Sequence, residues 1–124
     1  MALPYKTTAK DFALFKKTFQ YYVQKFGMHE WGIRYVWEYD ETESMSAAIA
    51  KSSTGKAATV YLHKNWALPV TDKEIKRSAV HEFAHLLTAD LEDLVVRRCV
   101  MEDERKDKSE ALARRFENFF YGDK

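Results

Sequence analysis

Two histidines, His81 and His85, stand four positions apart in the run Ser78-Ala79-Val80-His81-Glu82-Phe83-Ala84-His85-Leu86-Leu87, where Glu82 is the one carboxylate. On a helix, residues at this spacing share a face, so both imidazoles can reach a single ion. The apolar flanks Val80 and Leu86 require that helix to be largely buried, and buried imidazoles need partners. The chain must therefore build a core around this helix and still bring a further polar group to its histidine face. Glu82 sits beside the pair, where it can act as general base on water activated by a metal. The same residues also fit a plainer arrangement, two core histidines satisfied by backbone or carboxylate groups with Glu82 at the surface.

The flanking sequence predicts where this helix begins and what it packs against. Thr71 and Glu74 have capping-box spacing just before Ile75, Ala79 and Val80, which predicts a helix from about Asp72 to about Leu87. Upstream, Phe12, Phe15, Phe19, Tyr22, Val23 and Phe26 recur in steps of three and four, predicting an amphipathic helix from Thr8 to about Phe26. Thr8 with Asp11 resembles another capping box, and Gly27 stands where a helix-ending glycine belongs. The period then becomes two: Trp31, Ile33, Tyr35, Trp37 and Tyr39 alternate with mostly polar residues, as in a strand with one buried face. A turn at 40–44 and shorter strands at 45–52 and 57–63 complete a small meander.

Residues 90–108 are apolar at first and charged from Glu102 to Lys108, which predicts some helix and then an exposed connection. Ala111, Leu112, Phe116, Phe119 and Phe120 return to helical spacing, so a terminal helix is expected over 108–121. The expected fold class is α+β: an N-terminal helix and a small, mainly antiparallel sheet packed against the histidine helix and the terminal helix. No linker or repeat divides the 124 residues, which suit one domain, 1–124, with its own core.

Charge points to no partner. Twenty basic residues against 19 acidic ones leave +1, too little to gather nucleic acid or an anionic membrane. Arg97, Arg98, Arg105, Lys106 and Lys108 do form a basic group, but Glu102, Asp103, Glu104 and Asp107 interrupt it and argue against nucleic-acid binding. The single cysteine, Cys99, cannot form an internal disulfide and reads as a small buried hydrophobe. The N-terminal Met-Ala-Leu-Pro-Tyr-Lys has no apolar run of signal length, and no stretch approaches the roughly 20 apolar residues of a membrane span. A cytoplasmic protein without membrane attachment is expected.

A catalytic zinc needs a further protein ligand and one open position. No histidine follows His85, so that ligand should be acidic. Here the sequence resembles a known family: Val80-His81-Glu82-Phe83-Ala84-His85-Leu86-Leu87 matches the extended motif of the zincin metallopeptidases, including the small residue before the second histidine. The order of elements is similar to that of the minimal gluzincins. The stretch from Tyr21-Tyr22 through Phe26-Gly27-Met28 to Trp31 and Ile33 looks like small phage-encoded metallopeptidases. The metzincin continuation, Gly-x-x-His, is absent, as is the Asn-Glu motif of thermolysin-like enzymes.

The resemblance implies a peptidase with one zinc ion per chain, Glu82 as general base and a peptide or protein substrate. It also implies a third ligand, a glutamate on a following helix, and Glu110 falls about two dozen residues after His85. The segment Ser109 to Phe116 resembles the Glu-x-x-Ala-x-x-Phe run that supplies this ligand in the ImmA/IrrE-type peptidases. Asp107 and Glu110 also have capping-box spacing, so Glu110 could instead close its own helix start, with Glu102 and Glu104 as the other acidic candidates. Zincin-like enzymes hold an extended peptide along a strand edge beside the metal, and 57–63 is the candidate edge. Glu117, Asp90 or Asp93 could accept from the second ring nitrogens. Tyr61, Tyr121 and His63 are candidate oxyanion donors, and His29 a more remote one. The alternative function is a zinc-binding regulatory or protein-interaction module with little peptidase activity.

Overall fold

The computed structural model describes residues 4–39, 46–52, 54–89, 110, 111, 113 and 114. The first helix, α1, spans Ala9–Lys25, and both its ends carry the predicted signals. The Thr8 hydroxyl accepts from the Asp11 N–H at 3.2 Å while the Asp11 carboxylate accepts from the Thr8 N–H at 2.9 Å, a complete capping box. At the other end Gly27 adopts φ 65°. That left-handed turn lets the Gly27 N–H reach the Gln24 carbonyl at 3.1 Å and the Met28 N–H reach the Val23 carbonyl at 2.9 Å, the two bonds of a Schellman motif. Phe15, Phe19 and Tyr22 form the buried face of α1.

Five strands accompany the helices: β1 (Tyr5–Lys6), β2 (Gly32–Glu38), β3 (Ala47–Ser52), β4 (Ala57–His63) and β5 (Asn65–Trp66). The predicted strands are present, but they do not form a meander. The larger sheet has the order β2-β4-β3, with β4 parallel to β2 and antiparallel to β3. Parallel neighbours need a long crossover, and here β3 and the segments around it supply it, so β4 returns between its predecessors. Alternation in sequence tells which residues share a face and nothing about which strand lies beside which, so the meander reading fails on order alone. Residues 57–63 are consequently the central strand, not the edge expected for them. Among the described residues the edges are β2 and β3.

The β1–β5 pair is a second, two-stranded sheet with no signal in the sequence, because two residues carry no period. Thr7 ties it to the larger one: its N–H donates to Lys64 O at 2.8 Å, its hydroxyl donates to His63 O at 2.9 Å and accepts from the Trp37 indole at 2.8 Å. Tyr39, expected on the buried face of β2, is 60% exposed beyond the strand's end.

The second helix, α2, spans Asp72–Leu87 as predicted, with the Thr71 hydroxyl accepting from the Glu74 N–H at 3.2 Å. Helix α1 lies over β2, Phe12 stacking on Trp37 and Phe19 meeting Tyr35 edge-on. Helix α2 packs beside α1 and against β3. One core joins them: Phe15 and Phe19 from α1, Val60 and Leu62 from β4, and Ile75, Val80, Phe83 and Leu86 from α2 are fully buried. Glu110, Ala111, Ala113 and Arg114 are helical, with Ala113 buried. The rest of the expected terminal helix, the turn at 40–44 and the stretch 90–108 lie outside the described residues. The α+β class is as expected. Among the described residues no helix is long and apolar enough to cross a membrane.

Candidate metal centre

The polar face of α2 is narrow. With about 100° per residue, His81 and His85 lie about 40° apart, Glu82 falls about 60° from His85, and Phe83 points the opposite way into the core. The imidazoles are accordingly half-buried at the margin of the core, whereas Glu82 is buried at 7% exposure. Their rings meet edge-on, with centroids 5.0 Å apart. His85 stands in the last turn, where the Thr88 hydroxyl donates to the Ala84 carbonyl at 3.2 Å and helps close the helix.

Glu110 reaches this face from far along the chain. Its Oε1 is 2.7 Å from His85 Nε2 and its Oε2 is 3.5 Å from His81 Nε2. Among the described residues its own helix contributes Arg114, 3.9 Å away and exposed, a contact of little energetic weight. An ionised carboxylate only accepts hydrogen bonds, so in the 2.7 Å pairing the hydrogen sits on His85 Nε2. Burial holds His85 below its ordinary pKa; Glu110 pulls upward against it, while the nearby charges of His81 and Lys51 push further down. The net effect favours the neutral ring, which is the form that can ligate a metal.

One ligand atom from each of His81, His85 and Glu110 lies within 4.8 Å of the other two. Donors around a tetrahedral zinc stand about 3.3 Å apart, given bonds of about 2.0–2.2 Å. Small side-chain rotations would bring these three atoms to that spacing, and two imidazoles with a carboxylate are a donor set that zinc accepts. Among the described residues this is the one cluster of three or more such groups.

The remaining candidates fare differently. His63 is buried at the end of β4, its N–H bonded to Ser46 O and its carbonyl to Thr7, and it is not part of the cluster. Tyr61 alternates with Ala58, Val60 and Leu62, whose side chains enter the core, so it faces away from the helices and is no oxyanion donor for this site. His29 lies in an exposed turn outside the cluster. Glu102, Glu104, Glu117, Asp90, Asp93, Cys99 and Tyr121 lie outside the described residues. A residue missed from sequence is Lys51, close enough to influence His85. Its signal was the alternation Ala47, Ile49, Lys51, which puts a lysine on the inward face of β3.

No family model, curated protein or solved structure matches this chain. What the site can do follows from its own groups.

Proposed function

We propose that this protein is a zinc-dependent peptidase, with His81, His85 and Glu110 as metal ligands and Glu82 as general base. The observation that carries the reading is the convergence of two imidazoles on one helical face with a carboxylate from a distant segment. Zinc, when bound, supplies the Lewis acidity that polarises a carbonyl and acidifies water. The chain's residues do the rest. Glu82, flanking the ligand pair on α2, takes the proton of the attacking water on a carboxylate oxygen and passes it to the leaving amine. Its low exposure keeps competing bulk water away from that transfer.

The substrate lies along β3. This strand is the sheet edge beside α2, and among the described residues its only strand partner is β4. An extended peptide can therefore add to it through main-chain hydrogen bonds, with its scissile bond toward the histidine face.

Metal analysis tests the ligand set, and peptide hydrolysis tests the chemistry. One zinc per chain is expected in the wild type and in Glu82→Gln, with loss in His81→Ala and weakening in Glu110→Ala. Glu82→Gln should retain zinc and lose hydrolysis by at least about 100-fold. A wild type that binds no zinc refutes the reading. One that binds zinc and hydrolyses no peptide is a metal-binding module instead.

A further inference from the structure

The inward face of the β3–β4 pair consists of three cross-strand pairs: Ala47 with Leu62, Ile49 with Val60 and Lys51 with Ala58. Five of the six are apolar. Ala47, Ala58, Val60 and Leu62 are buried, and Ile49 packs against the core. Lys51 is the exception, a half-buried ammonium-bearing side chain on the face toward α2. A lysine at such a position loses rotamer freedom and hydration that an exposed outward position, such as neighbouring Ala50 or Ser52, would leave intact. Helix α2, against which β3 packs, is the helix that carries His81 and His85.

The strand geometry fixes what Lys51 would meet on a bound peptide. Residues opposite one another on adjacent strands project to the same face, with Cβ atoms about 4.5–5.5 Å apart. A peptide added to the edge of β3 that carries no strand among the described residues therefore places one side chain beside Lys51, on the face toward α2. Opposite charges favour such a pair and like charges oppose it.

We propose that Lys51 is a specificity-determining residue that receives a substrate carboxylate, foremost an acidic side chain on the peptide strand paired with β3. This rests on the peptidase reading above. A free C-terminal carboxylate offers the same chemistry, and the test separates the two sources.

The test measures binding of short peptides to zinc-loaded Glu82→Gln protein by calorimetry, so that preference is read without turnover. The peptides carry Glu, Gln or Lys at successive positions, each with a free or an amidated C-terminus. At one position the Glu peptide should bind about fivefold more tightly than its Gln counterpart. Lys51→Met should erase that preference, Lys51→Arg should keep it and Lys51→Glu should turn it toward the Lys peptide, all with zinc content unchanged. A preference that follows the free C-terminus instead assigns Lys51 to the chain end. Peptides that bind well but without charge preference, or a preference that survives in Lys51→Met, overturn the role of Lys51 and leave the peptidase reading standing. No binding of any peptide overturns both.

Discussion

Replacing Phe83 should separate the stability of the fold from the chemistry of the site. Phe83 stands between the two histidines in sequence, yet it lies about 200° around the helix from each. Its ring is 1% exposed and meets three rings of the α1 segment: Phe19 edge-on at 5.7 Å, Tyr22 at 5.8 Å and Phe26 at 5.3 Å. Truncating a buried phenylalanine costs about 3–5 kcal/mol, the spread depending on how far the surroundings collapse. Phe19 is held on another side by Tyr35 and cannot follow, whereas Phe26, 40% exposed, can move partly into the space. Phe83→Ala should therefore fall mid-range, about 4 kcal/mol. Phe83→Leu keeps most of the apolar bulk and loses the ring geometry, for about 2 kcal/mol. Urea unfolding of the metal-free protein measures both, with lower midpoints and an unchanged m-value expected. Folded Phe83→Leu should still take up a full complement of zinc. A loss below about 1 kcal/mol for Phe83→Ala would refute the idea that this ring joins the helices. So would a Phe83→Leu protein of normal stability that fails to bind zinc, since the residue would then be acting at the site.

Glu110→Gln should barely alter the stability of the metal-free protein, because that carboxylate is half exposed, but it should cut the stabilisation by zinc. At a free zinc concentration about 100 times the wild-type Kd, zinc adds about 2.7 kcal/mol, against about 0.4 kcal/mol for a variant that binds 100-fold more weakly. Equal zinc-induced shifts in thermal unfolding would remove Glu110 from the ligand set. Gly27→Ala should destabilise by about 1 kcal/mol through backbone strain alone, since its φ is 65° and a Cβ there meets nothing within 4 Å; chemical denaturation decides this, and a neutral result would mean the turn readily rearranges. Stability of the metal-free protein should fall as pH drops from about 7 to about 5, because the unfolded chain protonates His85 before the folded one does, burial having lowered the folded value. Above the unfolded value of about 6.5 the residue contributes no slope. His85→Gln should flatten the profile, and stability that rises on acidification would mean the Glu110 pairing outweighs burial.

What sequence made legible here was local. The Thr8 box, the Gly27 terminus and the Thr71 cap depend on residues within one turn of each other, so their spacing reveals them directly. Histidines one turn apart on α2 are legible for the same reason. Glu110 is a different case: its distance from His85 in the chain makes its approach a tertiary event, and only the family resemblance singled it out from its acidic neighbours. Strand order is wholly tertiary. Trp31 to Tyr39 and 57–63 announce their strands by alternation, but β4's place between β2 and β3 depends on how the chain crosses over, which no local period records.

That one missing fact changes the reading of the site. With β4 at the edge, the side chains beside a bound peptide would be the apolar series Ala58, Val60 and Leu62, and the cleft would carry no charge preference. With β3 at the edge, the inward series becomes Ala47, Ile49 and Lys51, and the same alternation now puts a cation on the face toward α2. Lys51 in a 2-3-4 meander would lie between two neighbours, its cross-strand position filled on both sides by the protein itself. In the observed order one of those positions is open for a ligand among the described residues. The selectivity proposed for the site is thus a consequence of strand order rather than of the metal motif, and charge-swapped peptides can detect it independently of zinc analysis.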